Sequence, residues 1–251
     1  LAQYGFQGGT TDDSGSGNNA TATGSPAYTT GKIGQAIDLD GTDDVVTAGI
    51  GLTDSPDVTV ATWVKWDGGS DWQRVFDFGP DTNNYMFLTP KAGGGGLRFA
   101  IKNGSAEQQL NATVLAAGQW VHVAVTLNGD TGTLYVNGTP VDTKTIVINP
   151  NDFKGSSHFI GKSQFAADPL FSGAIDDFRV YNYALSAAVI ANLAAGDTTA
   201  PAAPTGLNGG GGDGVAYLDW ADNAEPDLGG YTVYRSSTSG SGYAPIATGL
   251  S

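Results

Sequence analysis

The stretch Phe171–Ser186, FSGAIDDFRVYNYALS, decides how this chain is read. It has the pattern of a last strand that closes a β-sandwich. Strict alternation puts Asp176, Phe178 and Val180 on one face, and Ile175, Asp177, Arg179 and Tyr181 on the other. Phe178 and Val180 are core residues by type, so Asp176 is expected to point inward with them. A buried carboxylate is costly unless it is paired, hydrogen-bonded or bound to a metal. Asp176 is therefore either a ligand to a hard cation, which takes oxygen donors, or a fully hydrogen-bonded structural residue.

The rest of the composition agrees with an all-β chain. Glycine makes up 38 of 251 residues, Thr, Asn, Asp and Ser are abundant, and Glu occurs only at Glu107 and Glu225. Such a chain is rich in turns and poor in helix formers. At 40% hydrophobic it can bury a core. The net charge of −14 argues against nucleic acid or an anionic membrane as partner, since phosphate binding needs clustered Lys and Arg. The absence of cysteine excludes disulfides, thiolate chemistry and cysteine-based zinc sites. No apolar run is long enough to span a membrane, and no signal peptide stands at Leu1, so the chain is expected to be a mature or excised piece.

Working outward along the chain, Gln3–Phe6 is expected to be a first strand. Asp12–Asn19, DDSGSGNN, reads either as a turn cluster or as a loop whose oxygens approach a cation. Gln35–Val46 alternates around Ile37 and Leu39 and turns at Asp40-Gly41. Val58–Lys65, VTVATWVK, is apolar on both faces, as a central strand should be. Trp72–Phe78, Tyr85–Thr89 and the segment of Leu97, Phe99 and Ile101 follow as strands. Asn128-Gly129 and Asn137-Gly138 are hairpin turns in a meander that starts at Trp120. Phe159–Gly161 is a short strand. Ser186–Ala195 is the one helix, with Ser186 as N-cap, Leu185 and Ile190 as a hydrophobic staple, and Gly196 at C′. A Pro-rich linker, residues 197–204, separates residues 1–196 from 205–251. In the latter, Val215–Trp220, Tyr231–Arg235 and Pro245–Ala247 read as strands. A complete small sandwich needs about 100 residues, so this part is expected to be incomplete.

Five stretches in order resemble the LamG-like (laminin G-like) family of concanavalin A-like jelly rolls: DDSGSGNN, GKIGQAIDLDGTDDVV, VTVATWVKW, GQWVHVAVTLNGDTGTLYVNG and FSGAIDDFRVYNYALS. Together they cover nearly all of residues 1–196. The stretch APAAPTGLNGGGGDGVAYLDWADNAEPDLGGYTVYRSS is similar to the first half of a fibronectin type III domain, with Trp220 and Tyr231 at its core positions. The expected fold is a two-sheet antiparallel jelly-roll sandwich with one short C-terminal helix, then an incomplete immunoglobulin-like β-sandwich. The resemblance implies a structural calcium held by Asp12, Asp40, the Gly41 carbonyl and Asp176. The family often carries Asp after the first-strand Phe, where this chain has Gln7, so a ligand from that position is in doubt. Both families recur as accessory modules of secreted, extracellular bacterial enzymes that degrade polysaccharides. This implies a catalytic domain linked covalently in the parent chain and a monomeric module.

The residues themselves weigh against catalysis. Glycosidases of related fold use two closely spaced Glu on one strand, and no such pair exists here. The pairs Asp12/Asp13, Asp43/Asp44 and Asp176/Asp177 are adjacent residues, which point to opposite faces of a strand. His122 and His158 are isolated. Sugar binding needs an aromatic platform and a few fixed polar groups. The candidate platforms are Trp66, Trp72, Tyr85 and Phe165; Trp63 and Trp120 read as core. The candidate polar groups are Arg74, Arg98, Lys102, Lys162, Gln164 and Asp168, each equally readable as a plain surface residue. Trp72 and Arg74 are expected on one strand face, and the loop Gly161–Pro169 carries Lys, Gln and Asp without an evident structural need. The reading is a non-catalytic carbohydrate-binding module that holds an enzyme to a polysaccharide or oligosaccharide. Its rivals are an adhesion or structural protein-interaction domain and, more weakly, an atypical glycoside hydrolase or lyase.

Overall fold

Two antiparallel sheets face each other across an apolar core in the computed structural model, which describes residues 1–52, 56–152, 157–196, 202–221, 223 and 231–250. The chain divides into two units, Leu1–Asp197 and Thr198–Ser251. The first unit carries β1 (Ala2–Tyr4), β2 (Thr21–Thr23), β3 (Ala27–Thr30), β4 (Gln35–Asp40), β5 (Val45–Thr47), β6 (Val58–Trp66), β7 (Phe76–Asp81), β8 (Asn84–Thr89), β9 (Gly96–Asn103), β10 (Gln108–Thr113), β11 (Trp120–Asn128), β12 (Thr131–Val136), β13 (Thr139–Thr145), β14 (His158–Ile160), β15 (Ser172–Tyr181) and the helix α1 (Ala187–Ala195). The first sheet runs β13-β12-β11-β6-β15-β4-β3, with β1 also on β15; the second runs β10-β9-β8-β7-β14-β5-β2. This is the all-β sandwich expected from the alternation of apolar residues, in the two-sheet jelly-roll form that the family resemblance implies.

The strand β15 lies at the centre of the first sheet. One edge pairs with β6. The other pairs with β4 over Ser172–Ile175 and with β1 over Phe178–Val180. At the change of partner a bulge sets Asp177 and Phe178 against the single residue Thr62 of β6, and Asp177 takes a left-handed φ of 46°. The bulge overturns the expected alternation. Ile175, Phe178 and Val180 all enter the core between the sheets. Asp176 stands opposite Trp63, on the outer face, with Ala61 and Arg179 beside it. It is still fully enclosed, because the turn between β3 and β4 covers it and donates the Ile33 N–H to Oδ2 at 2.7 Å. Trp63 is buried on this same outer face, not in the inter-sheet core.

The helix was legible in its caps. Ser186 Oγ accepts from Val189 N–H, and Gly196 is left-handed at φ 74°. Leu185, Ile190 and Leu193 pack on Ala61, Ala124 and Tyr135 of the outer face of the first sheet. In the second unit β16 (Thr205–Gly212) pairs β17 (Val215–Ala221), and β18 (Tyr231–Arg235) pairs β19 (Ala244–Leu250). Trp220 meets Tyr231 edge-on at 5.1 Å. Residues 197–201 of the expected linker, and Glu225, lie outside the described residues.

The backbone of β15 lies close against β6 at Gly173, where φ is 136° and a Cβ would run into the Lys65 carbonyl oxygen. Gly173→Ala forces two central strands apart and is expected to lower stability by about 3 kcal/mol in urea unfolding. A midpoint equal to that of the wild type would contradict this placement of β15.

Candidate functional site

The outer face of the second sheet is aromatic at its middle. In β8, Met86 and Leu88 fill the core while Tyr85 and Phe87 point outward; in β9, Leu97, Phe99 and Ile101 point inward and Ala100 outward. Trp72 and Phe165 pack from the flanking loops onto this outward cluster. Tyr85 stacks on Phe87 at 5.5 Å, Phe165 meets Tyr85 edge-on at 5.6 Å, and Trp72 meets Phe87 edge-on at 6.4 Å. Trp72 and Phe165 are the half-exposed rings of the cluster, whereas Tyr85 and Phe87 are buried beneath them.

A buried guanidinium underlies the cluster. Arg74 is 2% exposed and lies 4.0 Å from the centre of the Phe87 ring. Its Nη1 donates to the Trp72 carbonyl at 2.7 Å and its Nη2 to Asp168 Oδ2 at 2.8 Å, while Nε stands 3.4 Å from Asp77 Oδ2. Two carboxylates therefore face one cation. Burial pushes the Asp77 carboxyl up, against the pull of the Gln164 N–H, Arg74 and Ser163. Removing one member of such a buried group strands the others, at about 3–5 kcal/mol. Trp72 and Arg74 do not share a strand, contrary to expectation, because β7 begins only at Phe76. Trp72 sits in a turn with φ 71°, a left-handed conformation rare for a large side chain. Local strain of this kind gathers at ligand sites.

Trp72, Arg74, Tyr85, Phe87, Glu107, Phe165 and Asp168 line a pocket of about 190 Å³. Four of the seven expected ligand residues, Trp72, Arg74, Tyr85 and Asp168, are thus brought together, along with the candidate platform Phe165. Glu107 and Phe87 complete it. Glu107 Oε2 accepts from the Tyr85 hydroxyl at 2.5 Å, and Oε1 accepts from Gln109 Nε2; burial first, and then the Glu107 contact, hold the phenol well above its usual pKa. Asp168 Oδ2 accepts from Ser163 Oγ at 2.7 Å as well as from Arg74. Glu107 precedes a polar strand with no apolar alternation around it, so nothing in the sequence tied it to Tyr85.

The other expected ligand residues have different employment. Gln164 donates from its backbone to Asp77 and from Nε2 to the carbonyls of Gly79 and Ser157, both at 2.8 Å, so it clamps the loop to β7. Arg98 donates to Asn111 and lies 5.7 Å from the Trp72 ring, on the rim of the pocket. Lys162 sits over Phe159, outside the lining, and Lys102 reaches Asn83. Trp66 is a core residue, its indole N–H bound to Gln73. Larger clefts exist, one of about 440 Å³ walled by Val114, Leu115, Val121 and Val141 and one of about 380 Å³ lined by Thr126, Thr133 and Tyr135. The first has Thr113 and Asn137 among its lining but no aromatic ring, and the second has only one.

The expected calcium ligands do not converge. Asp40 stands opposite Ser172, and Asp176 lies four residues further along β15, roughly 13 Å away at the rise of a strand. Gly41 follows Asp40 into a left-handed turn beside Ser172. Asp12 is saturated by backbone: Oδ1 accepts from Gln3 and Ser14 N–H and Oδ2 from Asn18 N–H, which together hold its carboxyl below the usual range despite burial. Asp40 Oδ1 accepts from Thr42 and Asp43 N–H in a turn. Among the described residues the carboxylates that do gather are Asp40, Asp43 and Asp44, at that turn alone. The four residues therefore do not fit one shared ion.

The family model of the concanavalin A-like lectin/glucanases superfamily (Laminin_G_3) matches residues 40–191. The chain belongs to this family of lectin-like jelly rolls. A search of curated proteins finds no match. Among solved structures, domain 4 of AbnA, a GH43 extracellular arabinanase from Geobacillus stearothermophilus solved in complex with arabinotriose, is similar at 26% identity and a TM-score of 0.69, over 77% of this chain and 97% of that one. The binding domain of Paraclostridial Mosquitocidal Protein 1 shares the fold at 16% identity and a TM-score of 0.59; the match covers 95% of this chain and 65% of that one. The binding domain of Botulinum neurotoxin DC, solved with rat synaptotagmin II, does so at 12% identity and 0.63, over 98% and 68%. The fold is thus one that binding domains use. No helix among the described residues is long and apolar enough to cross a membrane.

Asp176 gives the fold a pH dependence. Its Oδ1 has no hydrogen-bond partner, and burial, with the charge of Asp177 adding, pushes its pKa up to about 6 from an ordinary 3.8. Folding favours the protonated form, so its stabilising contribution is complete below about pH 3.8 and is lost as the pH rises through about 6. Asp176→Asn removes that titration. Relative to the wild type, the variant is expected to gain on the order of 2 kcal/mol between acid and neutral pH, read from urea midpoints in EDTA. Parallel stability curves for the two proteins would contradict the assignment.

Proposed function

We propose that the first unit is a non-catalytic carbohydrate-binding module of a secreted bacterial polysaccharide-degrading enzyme, and that the pocket walled by Trp72, Tyr85, Phe87 and Phe165 takes one sugar ring of a neutral glycan. The observation that carries this reading is the pocket itself. The half-exposed rings of Trp72 and Phe165 offer surface to the apolar face of a sugar, and Glu107 and Asp168 offer carboxylate oxygens to its hydroxyls. The one cation inside, Arg74, is already matched by Asp77 and Asp168, so an anionic sugar gains little there and meets a chain of net charge −14. About 190 Å³ has the liquid volume of roughly six waters, the size of a single ring rather than of a chain. The likeness to a domain solved with arabinotriose makes arabino-oligosaccharides the first ligands to try. Neither carboxylate is free of structural partners, which fits positioning rather than general acid–base work.

The second unit, with Trp220 packed on Tyr231, fits part of a fibronectin type III-like spacer between this module and a catalytic domain in the parent chain. Tethering of this kind raises the local concentration of an enzyme at its polymer.

Affinity electrophoresis through gels containing arabinan and a panel of other plant and algal polysaccharides tests the proposal. The wild type is expected to be retarded by at least one neutral glycan. Trp72→Ala should weaken binding tenfold or more, about 1.4 kcal/mol, with its melting temperature changed only slightly. No new reducing ends should appear on prolonged incubation. Full mobility in every gel, together with a protein partner recovered by pull-down, would favour the interaction-domain reading instead.

A further inference from the structure

The outer face of the first sheet carries a row of threonines beside α1. The register sets Thr59 of β6 opposite Thr126 of β11, Thr126 opposite Thr133 of β12, and Thr133 opposite Thr143 of β13. Thr59 is employed by the fold: its hydroxyl donates to the Tyr183 carbonyl at 2.8 Å and accepts from Leu185 N–H at 2.9 Å, which fixes the segment leading into α1. The next threonines are less occupied. Thr126, Thr133 and Tyr135 line a groove of about 380 Å³ together with Leu185, Ser186 and Ala187. Thr126 is only 5% exposed and Tyr135 only 6%, yet neither hydroxyl has a partner among the described residues. Thr133 accepts from the Thr143 hydroxyl at 3.2 Å and keeps its own proton to donate. Buried hydroxyls are normally bonded, and these open into the groove.

The start of α1 adds donors to the same place. Ser186 Oγ takes the Val189 N–H, and the Ile190 N–H makes the first helical bond, to the Ser186 carbonyl. The N–H groups of Ala187 and Ala188 stand ahead of that bond and take part in none within the helix. Asn128 contributes an amide, donor and acceptor together. No Lys, Arg, Asp or Glu lines the groove. An anion would meet N–H groups but no cation, in a chain of net charge −14. A neutral ligand rich in hydroxyls uses donors and acceptors alike.

We infer that this groove is a second site for a neutral glycan, holding sugar hydroxyls through Thr126, Thr133, Tyr135 and the first N–H groups of α1. The inference rests on the carbohydrate reading of the module, but not on the pocket over Arg74. The groove is twice the volume of that pocket, and it reads hydroxyls where the pocket offers rings. The two lie on the outward faces of opposite sheets, whose backbones are about 10 Å apart with the core between them. A short oligosaccharide cannot reach both. Each site therefore takes its own chain, and one module bridges two chains of a polymer.

The test is a chemical-shift titration of the full chain with arabinotriose, using wild type, Trp72→Ala and Thr126→Val. Valine keeps the shape of threonine and removes only the hydroxyl. In the wild type, the amides of Thr126, Thr133, Ala187 and Ala188 are expected to move as well as the Trp72 indole. Trp72→Ala should retain the groove shifts, and Thr126→Val should retain the Trp72 shift while binding at the groove weakens about tenfold. If Thr126→Val does not fold, Thr133→Val replaces it, with the same loss expected. Groove shifts with an unmoved Trp72 indole would support the groove and sink the pocket. A moving Trp72 indole with still groove amides would overturn the groove and leave the pocket standing. Groove shifts that survive the valine variant, or that vanish in Trp72→Ala, would also overturn the inference, and stillness at both places would overturn both readings.

Discussion

A guanidinium almost without solvent holds the aromatic face of the second sheet together. Arg74 cannot shed its charge, so its burial requires partners, and it takes them from three directions: the carbonyl of Trp72, Asp77 on β7, and Asp168 on the loop after β14. The consequence is positional. Trp72 sits in a strained turn and Phe165 on a long loop, and both are drawn over Phe87 because their segments end on the same cation. Gln164 and Ser163 fasten the second segment again through Asp77 and Asp168. The aromatic walls are thus held by an ion cluster beneath them and not by packing alone. The same cluster sets the chemistry on offer, because a cation already flanked by two carboxylates is no receptor for an anion.

The opposite sheet depends on a different irregularity. The bulge in β15 lets one strand contribute Ile175 and Phe178 to the same core although they are three residues apart. It also lets two short strands share one edge. The residue displaced by the bulge, Asp176, ends under the β3–β4 turn instead of between the sheets. There it exchanges an ordinary solvated carboxylate for one enclosed and half-satisfied, which folding tolerates more readily in its protonated form.

Much of the fold was legible in the amino-acid sequence. The apolar alternation of β6, β9 and β11, the Asn-Gly hairpins, the Ser186 and Gly196 caps and the family resemblance all report local or repeated constraints, and each reappears in the structure. The bulge was not legible, because FRV and DFRV alternate equally well and only pairing with β6 counts residues on the opposite strand. The site was half legible. Trp72, Arg74, Tyr85, Phe165 and Asp168 stand out as aromatic and charged residues on turn-rich segments. Glu107 does not, since its partner Tyr85 lies two strands away in the sheet. Gln164 was misread because a loop glutamine looks the same whether it serves a ligand or three backbone and side-chain acceptors. The calcium set failed for a geometric reason: two residues on or opposite one strand, four positions apart, cannot share an ion.

The central claim is that the aromatic pocket over Arg74 is where this protein reads a glycan. Chemical-shift mapping with arabinotriose, following the indole Nε1–H of each tryptophan and the backbone amides, tests it most directly. The account predicts that the Trp72 indole moves most, with amides near Tyr85, Glu107, Phe165 and Asp168, while Trp63 and Trp66 stay in place. Saturating shifts clustered instead around Tyr135, Thr126 and Thr133 on the opposite sheet, with Trp72 unmoved, would contradict it.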